Sequence, residues 1–519
     1  MKRAILLFLL LLLIAAGAFA FRFHRLDIRP FHADESVQAA IFRTLWEDGT
    51  YTYNPHEFHG PTLPASTWPA VKLSGKSQFA ETNEATFRIV PVLFGSALIL
   101  LLWLFRDGLG MLAVVLAALL AAVSPPLVYY SRDYIHESLF VFFSLATIGC
   151  IWRYMRTGRL CWCLLAGVAL GLIQATKETS IFVYSAMIVA TVFSTGWAWL
   201  LWEKDDDGPM LKSWHIFLGI AAAVVTVVLC MTSLMTNPRG LTDAALTYVH
   251  WVGRSGDESP HAQPWYYYIR LLFWWQEGRG PVFTEAYVVV LALVGFVASL
   301  LPCRFAPKNA DIRLVRWLGF YSFFMAVAYS IVPYKMPWLM LGFLSGMIIL
   351  AGFGATVIVR LMPTKILKGG VVLLVLGGVA HSAHLAYTAG WKSYADPANP
   401  YAYVQTYDEI KTLAARVEEI SKSSRAGDEM TVKVIWHDNY YWPLPWYLRG
   451  LPNAEHWGEM PDNPVADVII ASPMHDVELT AALQETHTMT DYYGFRRNLP
   501  AQLWVEDKLW VKYLEDRED

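Results

Sequence analysis

Residues 109–155 read LGMLAVVLAALLAAVSPPLVYYSRDYIHESLFVFFSLATIGCIWRYM. Two predominantly apolar runs, 109–128 and 137–155, flank one polar turn, Tyr129-Tyr130-Ser131-Arg132-Asp133-Tyr134-Ile135-His136-Glu137. A bilayer core takes about 20 apolar residues of helix, so each run is long enough to cross it. Two crossings joined by a charged turn predict a polytopic helix bundle whose chemistry-bearing side chains gather at helix ends.

Working outward, nine further runs have the same character: 4–21, 85–105, 161–176, 180–202, 214–235, 283–303, 314–332, 337–359 and 370–388. The expected fold is therefore mostly α, with about 11 spans in residues 1–388. Loops 22–84 and 236–282 join spans on one face. The aromatic stretch Trp265 to Trp275 is too short to cross and suits the interface, where Trp and Tyr settle. Composition agrees: 55% of the 519 residues are hydrophobic and 16% charged, with mean hydropathy +0.35. A soluble chain carries about 25% charged residues. The deficit is confined to residues 4–388, and 389–519 has ordinary soluble composition. The N-terminal apolar run of about 18 residues exceeds the 7–15 of a signal-peptide core and reads as a retained first helix.

The net charge of −3 says little about partners, and without a basic tail no nucleic-acid partner is expected. Five cysteines (Cys150, Cys161, Cys163, Cys230, Cys303) lie in or beside apolar runs and read as small apolar filler rather than disulfides or a zinc site.

Lys and Arg distribution orients the bundle. With the N-terminus inside, Arg153, Arg156, Arg159, Lys204, Lys212, Arg304, Lys308, Arg313, Arg316, Arg360, Lys365 and Lys368 fall in the cytoplasm. The short outer turns hold one basic residue each: Arg132, Lys177 and Lys335. Arg22, Arg25 and Arg29 disagree, because they follow the first span on the outer side. An odd number of spans places residues 389–519 outside, so the chain is expected to be multi-pass in the plasma (inner) membrane with an extracytoplasmic C-terminal domain. There Asp408 to Ile420 has helical periodicity, Thr431 to Trp436 and Ala466 to Ala471 are β-rich, and Asp396 to Tyr403 reads as a linker; a small α/β domain is expected.

Ionisable residues near membrane depth point to function, and here they cluster on the outer side. The first outer loop carries His32-Ala33-Asp34-Glu35 and Asn54-Pro55-His56-Glu57-Phe58-His59-Gly60-Pro61. The turn with Arg132, Asp133, His136 and Glu137 follows, then Lys177-Glu178-Thr179, and later Val332-Pro333-Tyr334-Lys335-Met336-Pro337-Trp338. Each has an ordinary structural reading: Asp34-Glu35 as a helix cap, Arg132-Asp133 as an ion pair, Lys177-Glu178 as a solvated turn, Lys335 as a snorkelling cation, and His56 with His59 as structural histidines. Their joint occurrence on one face favours a site. If residues 132–137 open a helix, Arg132 and His136 share one face while Asp133 and Glu137 share the next. Such a site suits group transfer from a phosphate-linked donor, where a base takes the acceptor's proton and cations stabilise the departing phosphate.

These residues resemble the GT-C superfamily of membrane glycosyltransferases, which includes dolichyl-phosphate-mannose protein mannosyltransferases and bacterial aminoarabinose transferases. The acidic pair Asp34-Glu35 after the first helix and the second loop Ser131-Arg132-Asp133 with Glu137 carry the likeness. The stretches 32–37, 53–61, 261–268 and 333–338 look similar to the "flippase activity-associated" branch of archaeal-type N-glycosylation proteins, found also in bacteria. The resemblance covers roughly residues 1–340 and implies an inverting transfer from a polyprenyl-phosphate sugar to a glycan, lipid or protein acceptor. It implies Asp34 as base with Glu35 beside it. Arg132, Lys335, Lys177 and His261 are the candidate phosphate-binding residues, with Asp133, His136, Glu137, His56 and His59 in support. The second loop lacks the Asp-x-Asp that oligosaccharyltransferases use for a divalent metal; a metal, if one binds, falls to Asp34, Asp133 and Glu137. No other cofactor is expected.

Nucleotide sugars are made in the cytoplasm, so a site on the opposite face independently calls for a donor already carried across the membrane on lipid. Two other classes fit less well. A flippase, or an accessory to one, needs a polar path through the bilayer, and no mid-span charges are visible. A polymer-binding scaffold needs no convergent acidic and basic clusters.

Overall fold

A computed structural model describes residues 2–49, 51–55, 59–203, 211–254, 261–301, 307 and 310–518. His56, Glu57, Lys204, Cys303, Arg304 and Lys308 lie outside the described residues.

The chain forms a helix bundle followed by a small α/β domain. Among the described residues, eight helical segments are long and apolar enough to cross a membrane: Lys2–Phe23, Glu84–Leu109, Glu137–Thr157, Ser180–Leu200, Ser213–Met231, Ile312–Ile331, Pro337–Leu361 and Lys365–Lys392. Three shorter apolar helices, Met111–Val123, Leu160–Gln174 and Ala286–Leu300, occupy the other three predicted runs. The run 109–128 shortens because Ser124-Pro125-Pro126 breaks it, and a second helix, Pro125–Tyr130, starts at the prolines. Proline lacks the N–H that an interior position would use but tolerates a helix start. Bundle helices approach closely through small residues. A Cβ on Gly354 would meet the Leu291 carbonyl of the neighbouring helix, and one on Gly167 would meet that of Gly219.

The turn 131–136 is not the helical opening of the next span; that helix begins at Glu137. The Tyr134 N–H bonds the Glu35 carboxylate at 2.7 Å instead, and the Arg132 guanidinium is drawn to carbonyls ending the first helix. The shared faces expected for Arg132/His136 and Asp133/Glu137 therefore do not form. Two of the three anomalous arginines are internal. Arg22 donates to Ser131 Oγ and the Ala121 and Ala122 carbonyls, while Arg29 pairs with Asp133 and lies over the Tyr129 ring. Arginines tied up in this way do not report membrane orientation.

The C-terminal domain has a five-stranded sheet in the order β2-β1-β3-β5-β4 (β1 Val432–Ile435, β2 Ala454–Trp457, β3 Val468–Ala471, β4 His487–Arg496, β5 Leu499–Glu506). β1 pairs in parallel with β2 and β3, whereas β5 runs antiparallel to β3 and β4. Helix Glu409–Ser423 packs its apolar stripe, Ile410, Leu413, Val417 and Ile420, into the domain core. The stretch 396–403 is not a free linker: Tyr401 is buried, and its carbonyl accepts from Tyr130 Oη at 3.0 Å.

Aromatic anchors seat the domain on the bundle. Trp446 packs on Phe31, Phe79 and Phe87. Tyr447 Oη accepts from the Phe31 N–H (2.9 Å) and donates to Glu84 (3.0 Å). Arg449 reaches the Thr82 carbonyl at 2.6 Å. The domain thus covers the bundle end that carries the loop helices Ala33–Glu47 and Thr62–Ser74.

Candidate functional site

The site is built around the start of helix Ala33–Glu47. His32 caps it: His32 Nδ1 accepts from the Asp34 N–H (3.1 Å), and the Glu35 carboxylate accepts from the His32 N–H (2.9 Å). Glu35 is wholly buried. Its two oxygens take Arg88 Nε and Nη2, both at 2.7 Å. Arg88 also donates to the carbonyls of Leu26, Arg29 and Pro30. Burial by itself would raise the Glu35 pKa, but the Arg88 guanidinium outweighs it and holds the carboxyl below its ordinary value. Successive helical residues point about 100° apart, so fixing Glu35 inward turns Asp34 outward, with 53% of its side chain exposed.

Asp34 lines a cavity of about 1070 Å³. Its apolar wall includes Val37, Ile41, Ile135, Phe182, Val332 and Leu339, and its aromatic wall Trp251, Tyr334 and Trp338. The C-terminal domain contributes Asn439 and Trp442. Ile181 and Ser185 extend the lining onto an exposed face of helix Ser180–Leu200.

The polar floor is one connected cluster. Lys177 Nζ is ion-paired with Glu137. Burial would lower the Lys177 pKa, but Glu137 and Glu178 more than offset it and hold the ammonium charged. Glu178 Oε2 bonds His59 Nδ1 at 2.9 Å, and the His59 ring stacks on Trp251 and meets His136 edge-on at 5.2 Å. His136 Nε2 lies 3.0 Å from the Gly60 carbonyl. Burial, with help from His59 and Lys177, pushes the His136 pKa well below its usual value.

Of the candidates named from sequence, Asp34, Lys177, His59, His136 and Glu137 face this cavity. Glu35 and Asp133 do not: Glu35 holds Arg88, and Asp133 is paired with Arg29 behind the wall. Arg132 is also excluded. Its guanidinium donates to the carbonyls of Arg22, His24 and Arg25 and stacks on Trp391. Lys335 is buried beneath its loop, with Nζ on the Gln263 and Val332 carbonyls. His261 Nδ1 bonds Tyr403 Oη at 2.8 Å. Asp34, Asp133 and Glu137 do not converge as a metal-binding set; among the described residues no three His, Cys, Asp or Glu side chains are grouped to hold an ion.

Sequence reasoning missed Glu178 as a cavity residue, Arg88 as the partner of Glu35, and Arg496. Arg496, at the end of β4, is buried, bonds the Trp442 carbonyl and lies within the field of Asp34. Desolvation lowers its pKa to about 10, with Asp34 acting in the opposite direction. No local signal marks it, since it stands in an ordinary strand. The charged turn Lys177-Glu178 did mark the other.

The family model for dolichyl-phosphate-mannose-protein mannosyltransferases matches residues 59–236. A search of curated proteins finds no match. Among solved structures, ArnT from Cupriavidus metallidurans bound to undecaprenyl phosphate aligns over 95% of this chain and 97% of its own, with TM-score 0.64 and 14% identity. Its apo form aligns equally well, at 16% identity. The archaeal oligosaccharyltransferase AglB from Archaeoglobus fulgidus, in complex with an inhibitory peptide and a dolichol-phosphate, aligns over 91% of this chain and 70% of its own, with TM-score 0.52 and 11% identity. The chain thus resembles the dolichyl-phosphate-mannose-protein mannosyltransferase family over residues 59–236 and shares the fold of these membrane transferase structures over nearly its whole length.

Proposed function

We propose that this protein is an inverting membrane glycosyltransferase that moves a sugar from a polyprenyl-phosphate donor to an acceptor on the non-cytoplasmic face. The carrying observation is the continuity of the cavity. It runs from the half-exposed carboxylate of Asp34, past the buried Lys177 ammonium, to Ile181 on an exposed helix face. Below Ile181 (49% exposed) that face continues through Ile188 (66%) and Val192 (63%). An isoprenoid chain can lie along this apolar stripe while its phosphate enters the cavity.

Asp34 takes the proton of the acceptor hydroxyl as its oxygen attacks the anomeric carbon. The bond from that carbon to the phosphate oxygen breaks, and its electron pair leaves with polyprenyl phosphate; a single displacement from the opposite side inverts the centre. Lys177, whose ammonium has donors beyond its bond to Glu137, faces the leaving phosphate. Asn439 and Trp442 bring residues 389–519 into the wall near Asp34, where the acceptor enters, beside the catalytic unit of residues 1–388. The known structures with this fold that hold undecaprenyl phosphate or dolichol-phosphate support a lipid-linked donor.

The test is Asp34→Asn in proteoliposomes supplied with undecaprenyl-phosphate sugars and a membrane-derived acceptor pool. Release of undecaprenyl phosphate should fall by about 10²–10⁴-fold, with donor binding retained. Wild-type turnover in the variant rejects Asp34 as base.

A further inference from the structure

Helix Lys365–Tyr387, which continues to Lys392, belongs to the least buried of the eight span-length segments. One side of it is fixed. Tyr287 Oη donates to the Val375 carbonyl at 2.9 Å, a Cβ on Gly378 would meet the Tyr287 ring, and Ser382, Leu385 and Ala386 are buried. The other side is bare and carries His381 and His384, both exposed. Among the described residues of the eight segments, no other Asp, Glu, His, Lys or Arg is exposed more than one turn from a segment end.

Both histidines stand at membrane depth. They follow Lys368, the last lysine of the helix's first turn, by about 20 and 24 Å along the axis at 1.5 Å per residue, and a hydrocarbon core is about 30 Å thick. An ionisable side chain at that depth is costly against lipid and ordinarily faces protein or a cavity. The bare side is also patterned. Gly370, Leu373, Gly377, Ala380, His384 and Tyr387 recur at alternating steps of three and four, all exposed, which is the seam spacing of two paired helices. Gly370, Gly377 and Ala380 let a second backbone approach closely, and a Cβ on either glycine would meet nothing within 4 Å in this chain.

The pattern suits its own copy. A neutral imidazole has one donor and one acceptor nitrogen, so one His384 ring completes another. Two copies inserted with the same topology bring this helix together in parallel, with His384 facing His384 at one depth and glycine facing glycine. That is the self-complementarity a two-fold interface requires.

We propose that the Gly370–His384 face of this helix is a homodimer interface within the membrane, closed by a His384 pair hydrogen-bonded across the two-fold axis, with His381 on its flank. None of its residues lines the Asp34 cavity, so the interface does not depend on the donor reading above.

The experiment uses the full chain, made cysteine-free and reconstituted in liposomes. Leu373→Cys, Ala380→Cys and, on another lipid-facing helix, Val224→Cys are each oxidised with copper phenanthroline. Disulfide-linked dimers should form at positions 373 and 380 and not at 224, although Val224 is 57% exposed. Fluorescently labelled wild type, His384→Leu and Gly377→Leu are then diluted with lipid, and the dimer fraction is read by single-molecule photobleaching. His384→Leu should raise the dissociation constant about three- to tenfold, even though leucine is the better residue against lipid. Gly377→Leu, which sets a side chain between the backbones, should raise it further. The interface is overturned if wild type is monomeric at every protein-to-lipid ratio, if Val224→Cys crosslinks as readily as the other two, or if either substitution leaves the dissociation constant unchanged. A wild type that is monomeric in liposomes but joins a larger complex in native membranes assigns the face to a different protein and rejects the homodimer. Should a leucine variant fail to fold, the wild-type dilution and the cysteine pattern decide.

Discussion

Glu35 and Arg88 meet in a two-point ion pair, with Nε and Nη2 each 2.7 Å from a carboxylate oxygen, and both side chains are almost wholly buried. The pair joins the first loop helix to the second predicted span, and Glu35 also ties down the Tyr134 N–H in the next loop. Asp34 is aimed by this arrangement. Glu35 positions the site without facing it.

Removing one partner leaves a buried charge uncompensated. Glu35→Ala is expected to destabilise the protein by about 3–5 kcal/mol, read as a lower unfolding midpoint in detergent. The folded pKa of Glu35 lies below its unfolded value, so its stabilisation is complete above the ordinary carboxylate range and is lost as pH falls through the lowered folded pKa. Wild type should therefore lose stability on acidification below about pH 4.3, and Glu35→Gln should lose less over the same interval. Identical acid slopes would show that the pair is not the titrating element.

Lys177 and Arg132 separate by their surroundings. Lys177→Met should weaken undecaprenyl phosphate binding about tenfold or more. Arg132→Met should leave that affinity nearly unchanged but lower thermal stability, because the Arg22, His24 and Arg25 carbonyls lose their donor. Lys335→Met should follow Arg132, since its ammonium also serves loop carbonyls. A phosphate-binding loss in the Arg132 variant larger than in the Lys177 variant would reverse the assignment.

Arg496 is held by the Trp442 carbonyl within the C-terminal domain, and its charge and that of Asp34 act on each other. Arg496→Lys keeps the charge but loses the planar fork. It should slow transfer roughly tenfold or more, as expected from misplacing a reacting group, while donor affinity holds. The comparison is kcat against donor Kd in the purified protein; an equal fall in donor affinity would place Arg496 on the donor side instead.

Orientation can be read chemically. Ala426 is exposed in the C-terminal domain, so Ala426→Cys in a cysteine-free background should react with an impermeant maleimide in intact cells. Labelling only after the membrane is opened would put the site in the cytoplasm and remove the need for a lipid-linked donor.

The bundle was legible in the sequence because apolar run length is a local property: each predicted run corresponds to an apolar helix. The strands near 432–435 and 468–471 and the helix from Glu409 were readable for the same reason, since short β-branched runs and a 3.6-residue stripe carry their own period. The end of the bundle holding the site was also marked, by charged turns beside apolar runs.

Tertiary structure alone decided which charged groups are available there. Asp34 and Glu35 are neighbours with equivalent chemistry, and only Arg88, 53 residues from Glu35, separates their roles. Arg132, Lys177 and Lys335 look alike as lone cations of short turns. The first and last donate to backbone carbonyls, whereas Lys177 faces the cavity beside Glu137, 40 residues away. Arg496, near the far end of the chain, feels the charge of Asp34 without lining the cavity. A side chain's charge is set by its own chemistry, but its freedom to meet a substrate depends on partners distant in sequence.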